Sequence, residues 1–306
     1  AAGARAFADG VDLGGEIPNI VSRWANAESQ ELNTPIMYLF RRAVPDSGGP
    51  GKFRGGVCHE YAFTPNGTNG SMGLVLFGKG TRAPMSLGLF GGLPGCNVGY
   101  STFRRANVDE LPSSFDALRG AERVDQFWGH LELEEGDVQY VRFMGGGGYG
   151  DPIDRDPERV EVDVEAGLVS EGAAREIYGV VVGDAAATRE RRLAIRAERL
   201  GRAVDFEPAT VASTGRRLSE YLQRTAAGAT QCTACGVEVA GEGVDWKNGA
   251  VRRRVPVDSA GPLRPASDEL TLVQSCCPGC GTLLDTELAA IDDEPLHDRV
   301  RRWPET

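Results

Sequence analysis

Five of the seven cysteines fall between positions 232 and 280, as Cys232-Thr-Ala-Cys235-Gly236 and Cys276-Cys277-Pro-Gly-Cys280-Gly281. Two C-x-x-C pairs let four thiolates converge on one tetrahedral ion, with Zn–S distances near ~2.3 Å. The glycine behind each pair can take a positive φ, so the backbone turns away once its two sulfurs have been presented. Cys232, Cys235, Cys277 and Cys280 are therefore the expected ligands of a zinc ion. Four thiolates leave no open position for water, which makes such a zinc structural, not catalytic. Disulfides or a redox C-x-x-C are the alternatives. An odd cysteine count without a secretory signal disfavours the first, and two motifs with trailing glycines are hard to explain as one redox centre. Cys276 is expected as a packed neighbour, and Cys58 and Cys96 as buried small apolar groups.

Three glycine clusters carry the next chemical possibility. Asp46-Ser-Gly-Gly-Pro-Gly-Lys52-Phe-Arg54-Gly-Gly56 fails as a Walker A loop, because Asp46 stands where the first glycine belongs and Phe53 where Ser or Thr must follow the lysine. Gly145-Gly-Gly147-Gly-Tyr-Gly150 satisfies G-x-G-x-x-G, yet Pro152 and a helix opening only near Pro157 argue against a dinucleotide site. The third cluster runs from Lys79 through Arg82 to Gly95. Exposed amides with basic side chains form an anion-binding cleft, in which Lys52, Arg54 and Arg82 are the candidate contacts. Tight turns, crossing backbones and ordinary loop salt bridges are the alternative.

The residues of hydrolytic catalysis do not assemble from motifs. His59, His130 and His297 stand in no H-x-x-H or H-E-x-x-H pattern, and there is no G-x-S-x-G. His59 and Glu60 are adjacent in an expected strand and so point to opposite faces. His59 reads as a core or surface histidine, and the motifs alone do not make a complete enzyme.

The elements that must position these residues change character along the chain. Residues 36–44, 57–63, 72–78 and 132–143 are β-branched or aromatic runs bounded by Gly and Pro, and are expected strands. Asp156-Pro157 opens a helix with Val160, Val164 and Leu168 at helical spacing; Ser170 caps a second, ended by Gly179; Asp184 caps a third, stopped by Gly201. That third helix carries Arg189, Arg191, Arg192, Arg196 and Arg199 and is expected to present a solvated or subunit-facing surface. The expected fold class is α+β: a β-rich glycine-loop core over 1–205, with strands to about 144 and helices over about 157–200, then a polar linker over 206–228 and a β zinc-ribbon module over 229–306. Within that module 251–257 reads as a strand, and Val244 and Trp246 are expected to pack beneath the metal.

Composition bounds the rest. Gly supplies 41 of 306 residues, about twice the usual share and without collagen's period. The net charge of −11 excludes a dedicated nucleic-acid binder, which needs a basic face. No apolar run approaches the ~18–20 residues of a membrane span, and AAGARAFADG lacks the apolar core of a signal peptide, so a soluble cytoplasmic protein is expected. Only Lys52, Lys79 and Lys247 of the 33 basic residues are lysine, which reads as a bias toward arginine.

Taken in order, DSGGPGKFRGG (46–56), GTRAPMSLGLFGGLPG (80–95), GGGGYGDPIDRDPERV (145–160) and GLVSEGAAREIYGVVV (167–182) resemble the hydantoinase B/oxoprolinase family. The resemblance covers about residues 1–200 and only the C-terminal part of that family's unit. Members carry a long portion before the segment similar to NAESQELNTPIMYLF (26–40), so another chain is expected to supply it. In ketone carboxylases of this group the catalytic metal ligands belong to that earlier portion, and none transfers to a position here. The Cys232 motif, DWKNGA (245–250) and CCPGCGTLLDTEL (276–288) resemble the small zinc-containing gamma subunit of acetone carboxylase, fused behind the hydantoinase B-like segment. The resemblance implies a subunit of a multi-subunit ATP-dependent ketone carboxylase of acetone or acetophenone type. It would convert a ketone and bicarbonate to a 3-oxo acid through phosphorylated intermediates. A hydantoinase A-like subunit would bind ATP, and ATP/Mg2+ and Mn2+ or another catalytic metal would sit on partner subunits. The alternatives are a subunit of an ATP-dependent cyclic-amide hydrolase and a non-catalytic zinc-ribbon scaffold.

Overall fold

Strands buried along most of their length build the central sheet of the computed structural model, which describes residues 1–14, 26–206, 215–294 and 296. A short helix α1 (Ala27–Asn33), capped by Asn26, leads into β1 (Ile36–Ala43). The strands β1, β2 (His59–Pro65), β7 (Val138–Arg142), β4 (Gly99–Arg104) and β5 (Glu122–Val124) form one antiparallel sheet in that spatial order. Phe40, Ala62, Phe103, Val138 and Tyr140 from four of these strands share a core with Leu118. The expected single strand over 132–143 is instead two strands. Gly136 at φ 83° turns the chain, and Asp137 holds the turn by accepting from the backbone N–H of Glu134 and Arg105. The first half ends β6 (Trp128–Leu133), which pairs with β3 (Met72–Phe77) in a separate ribbon.

The glycine clusters pack backbone to backbone, not around an open cleft. A Cβ on Gly145, Gly146, Gly147 or Gly148 would lie 1.8, 1.9, 2.0 or 2.1 Å from the carbonyl oxygen of Ser47, Ala2, Leu87 or Pro50 respectively. Backbone hydrogen bonds join the same packed segments: Gly49 N–H donates to Gly146 O at 2.7 Å, Gly146 N–H to Gly56 O at 3.0 Å and Gly148 N–H to Leu93 O at 3.0 Å. No side chain fits between chains this close, so glycine is required by contact. Gly146→Ala is expected to cost at least the ~3 kcal/mol upper end of overpacking penalties, read by denaturant unfolding. Gly73→Ala, which meets nothing within 4 Å, should stay within about 0.5 kcal/mol of the parent.

The three helices fall where their caps place them. Asp156 Oδ1 accepts from Glu158 N–H for α2 (Pro157–Glu165), Ser170 Oγ from Ala173 N–H for α3 (Glu171–Glu176) and Asp184 Oδ1 from Ala187 N–H for α4 (Ala185–Leu200). Gly201 closes α4 at φ 64°. Val160, Val169, Ala174 and Tyr178 bury α2 and α3 against each other.

Part of the expected linker is folded. β8 (Arg216–Arg217) and β9 (Leu222–Arg224) join β10 (Thr230–Cys232) and β11 (Glu238–Ala240) in a four-stranded sheet, with Tyr221, Leu222 and Gln223 buried. The polar composition concealed the short strand β9, whose Leu222, with Tyr221 just before it, packs into the core beside the cysteines. β12 (Val251–Pro256), β13 (Leu270–Cys276) and β14 (Leu283–Ala290) form the last, antiparallel sheet.

Candidate metal centre

Each C-x-x-C pair sits on the same backbone turn. Cys232 N–H donates to Val237 O and Gly236 N–H to Cys232 O, both at 2.9 Å; Cys277 N–H donates to Thr282 O and Gly281 N–H to Cys277 O, again at 2.9 Å. Gly236 and Gly281 take φ of 77° and 71°, the left-handed turn that their spacing predicts. One knuckle leaves β10, and the other bridges β13 to β14. The four Sγ atoms lie within 4.8 Å of one another, and those of Cys235 and Cys277 are 3.6 Å apart. A tetrahedron with ~2.3 Å Zn–S arms has edges of about 3.8 Å, so this donor set fits one thiophilic ion such as zinc. Hydrogen bonds to Cys280 from Cys232, Cys235 and Cys277 favour its thiolate and lower its pKa. Cys276 stands outside the quartet, its thiol pushed up to about 11 by burial, packed with Leu272 and Leu283. Trp246 packs against the same cluster as the ligands, whereas Val244 is exposed and plays no part beneath the metal.

Two arginines of the α4 run, Arg196 and Arg199, prove to be the support of this centre. Arg196 and Arg199 are 5% and 8% exposed, contrary to the solvated or subunit-facing surface expected of them. Arg196 Nη1 donates to Cys280 O at 3.1 Å and Thr282 Oγ1 at 2.8 Å; Arg199 Nη1 donates to Gly281 O at 3.0 Å. Arg199 also holds both oxygens of Asp151, at 2.6 and 2.9 Å, and Asp151 Oδ2 accepts from Leu283 N–H at 2.8 Å. The metal turn, α4 and the glycine core thus meet at one fully buried carboxylate. Arg192, Arg196 and Arg199 recur at i, i+4 and i+7, one helix face, and that spacing was the available signal. Lysine cannot replace them, because a planar fork reaches two acceptors at once. Arg264, 1% exposed, does the same elsewhere, donating to Pro94 O, Asp46 O and Gly48 O. Lys247 is buried too, against Asp285 at 2.9 Å and Glu287.

The three candidate anion contacts are not brought together. Arg54 is buried in ion pairs with Asp12 at 2.9 Å and Asp163 at 3.3 Å, which raise its pKa against the opposing effect of burial. Lys52 pairs with Glu220 at 2.7 Å, tying the first glycine loop to the four-stranded sheet. Arg82 lines a cleft of about 400 Å³. His59 is buried and lies 4.3 Å from the Phe143 ring; burial drives its pKa down to about 3, so it is a neutral core residue. Cys58 and Cys96 are fully buried with their sulfurs 3.6 Å apart. His130 is exposed on β6, and His297 lies outside the described residues.

Residues 1–152 match the family model described as hydantoinase B/oxoprolinase. Through these residues the chain belongs to the hydantoinase B/oxoprolinase family. Among its curated relatives, the chain is 32% identical over 232 residues to the acetone carboxylase alpha subunit of Xanthobacter autotrophicus, covering 66% of this chain and 30% of that protein. It is 32% identical over 197 residues to the acetophenone carboxylase delta subunit of Aromatoleum aromaticum, covering 58% and 28%. The caprolactamase subunit beta of Pseudomonas jessenii is 32% identical over 174 residues, with 55% and 28% covered. A nucleotide-free acetone carboxylase structure superposes with a TM-score of 0.55 at 28% identity, over 65% of this chain and 30% of that one. The chain thus spans less than a third of each relative. As a hydantoinase B/oxoprolinase-type chain it is related to subunits of enzyme complexes. No helix among the described residues is long and apolar enough to cross a membrane.

Proposed function

We propose that this chain is a subunit of an ATP-dependent ketone carboxylase of the acetone or acetophenone type. The observation that carries the reading is the four-sulfur centre clamped to a hydantoinase B-type core by Arg196, Arg199 and Asp151. A zinc-bearing module of this pattern resembles the small subunit of acetone carboxylase, and two of the curated relatives are acetone and acetophenone carboxylase subunits. In the proposed chemistry bicarbonate and the ketone are both activated by phosphorylation, and the enolate carbon attacks carbon dioxide where water is excluded. ATP with Mg2+ sits on a hydantoinase A-like partner, the catalytic metal lies with the N-terminal portion of the hydantoinase B-like unit, and the zinc here is structural. Arg82, which lines the cleft of about 400 Å³, is kept as a candidate anion contact.

A second reading, ATP-dependent hydrolysis of a cyclic amide, is favoured by the similarity to caprolactamase subunit beta. The complex purified with its neighbouring subunits separates the two. Labelled bicarbonate should enter an acidic product only when ATP and acetone or acetophenone are both present. Hydrolysis of caprolactam, hydantoin or 5-oxoproline that needs ATP but no bicarbonate would overturn the carboxylase reading.

A further inference from the structure

The cleft that Arg82 lines lies beside β4 and β7, walled on one side by Pro262, Leu263 and Pro265. Those residues sit in the β12–β13 connection. Arg264, in their midst, anchors them to the carbonyls of the glycine core, so the wall is held rigidly and is complete only when the C-terminal sheet is in place. Tyr100, Phe115 and Phe127 add aromatic surface. The cleft of about 400 Å³ is the size of a small-molecule site.

Two features of its lining are unspent. Arg142, half-buried at the end of β7, makes only a long 3.4 Å contact to Asn97 O and, like Arg82, has no carboxylate partner among the described residues. Elsewhere the buried arginines 54, 155, 196 and 199 are each held by aspartates. Arg123, the third arginine of the cleft, is neutralised by Asp125 at 2.7 Å. The second feature is Asn97, 1% exposed. Its Nδ2 donates to Thr81 O at 3.3 Å, which fixes the amide orientation, and its buried Oδ1 has no hydrogen-bond partner. A buried acceptor left so costs roughly 1–3 kcal/mol; the atom is enclosed, so a donor in the cleft recovers that cost only when the Asn97 side chain turns toward it.

We propose that this cleft is a binding site for a small organic oxyanion that also carries a hydroxyl or N–H donor and an apolar body. Arg142 and Arg82 hold the anion, Asn97 turns toward the cleft so that its Oδ1 accepts from the donor, and Tyr100, Phe115 and Phe127 cover the apolar part. The chemistry of the site stands whether or not the complex carboxylates a ketone.

Mandelate carries all three groups, phenylacetate lacks the hydroxyl and methyl mandelate lacks the charge. Titration calorimetry of the full chain should show mandelate binding in the millimolar range or tighter, phenylacetate roughly tenfold weaker and methyl mandelate weaker still. Arg142→Gln should weaken mandelate at least about tenfold, and Asn97→Ala should erase the difference between mandelate and phenylacetate. Zinc content and the thermal melt report whether each variant is folded. If Arg142→Gln is not, Arg82→Gln on the exposed rim must weaken mandelate about threefold or more. The proposal is overturned by no mandelate binding at about 10 mM, by equal affinity for mandelate and phenylacetate, or by folded arginine variants that bind as the parent does.

Discussion

Cys280→Ser should leave a chain that no longer retains about one zinc per molecule and that loses its C-terminal sheets. In zinc-finger peptides the metal contributes an apparent ~10–16 kcal/mol, comparable with the whole ~5–15 kcal/mol stability of a domain. A serine oxygen in place of one thiolate removes a large share of it. The apolar cluster around the knuckles is small, with Tyr221, Leu222, Val239 and Leu284 as its main non-cysteine members, and cannot hold two C-x-x-C turns together unaided. The damage should spread, because Arg196 and Arg199 then lose the carbonyls of Cys280 and Gly281. Elemental analysis, Trp246 fluorescence and the thermal melt read the effect. A variant that kept one zinc and the parental melt would remove the centre from the account. Because the ligands must be thiolates, acidification of the parent should release the metal.

The second large effect is expected at Arg199. Arg199→Met leaves the carboxylate of Asp151, with no exposed side-chain surface, buried and uncompensated, and breaking a buried pair by removing one partner costs about 3–5 kcal/mol. Adding Asp151→Asn should recover part of that loss, giving a non-additive cycle in equilibrium unfolding. Arg191→Met is the control. Its partner Glu176 is 61% exposed, so its loss should cost no more than about 1 kcal/mol. A cost below about 1 kcal/mol for Arg199→Met would mean that the clamp does not hold the metal turn to the core.

Much of the metal centre was legible from the residues in order. A C-x-x-C pair followed by glycine is a local instruction: two sulfurs, a left-handed turn and a departing chain, all within five positions. The helix caps at Asp156, Ser170 and Asp184 are equally local, since each side chain bonds an amide two or three residues on. The family resemblance was readable for the same reason, in four short contiguous segments rich in glycine.

The misjudged features all depended on partners distant in the chain. Residues 132–143 look like one strand until β3 and β2 claim its two halves for different sheets. Residues 216–224 look like a linker until β10 pairs with them. The α4 arginines look solvated because their acceptors, the carbonyls of 280 and 281, lie more than eighty residues away. For Lys52 and Arg54, basic character was visible but not the carboxylates of Glu220, Asp12 and Asp163 that consume it.

The amino-acid sequence by itself determined where four thiolates could meet, where helices begin and end, and that glycine is concentrated in a few segments. Only the tertiary structure decided what those segments are for. Glycine spacing is the same whether amides line an open cleft or press against another backbone. The difference lies in carbonyls such as Ser47 and Ala2, about 100 and 140 residues before Gly145 and Gly146, standing within 2 Å of where a Cβ would be. Close packing is a property of segments brought together from across the chain, and it placed the arginines in the core and left the cleft beside Asn97 and Arg142 open.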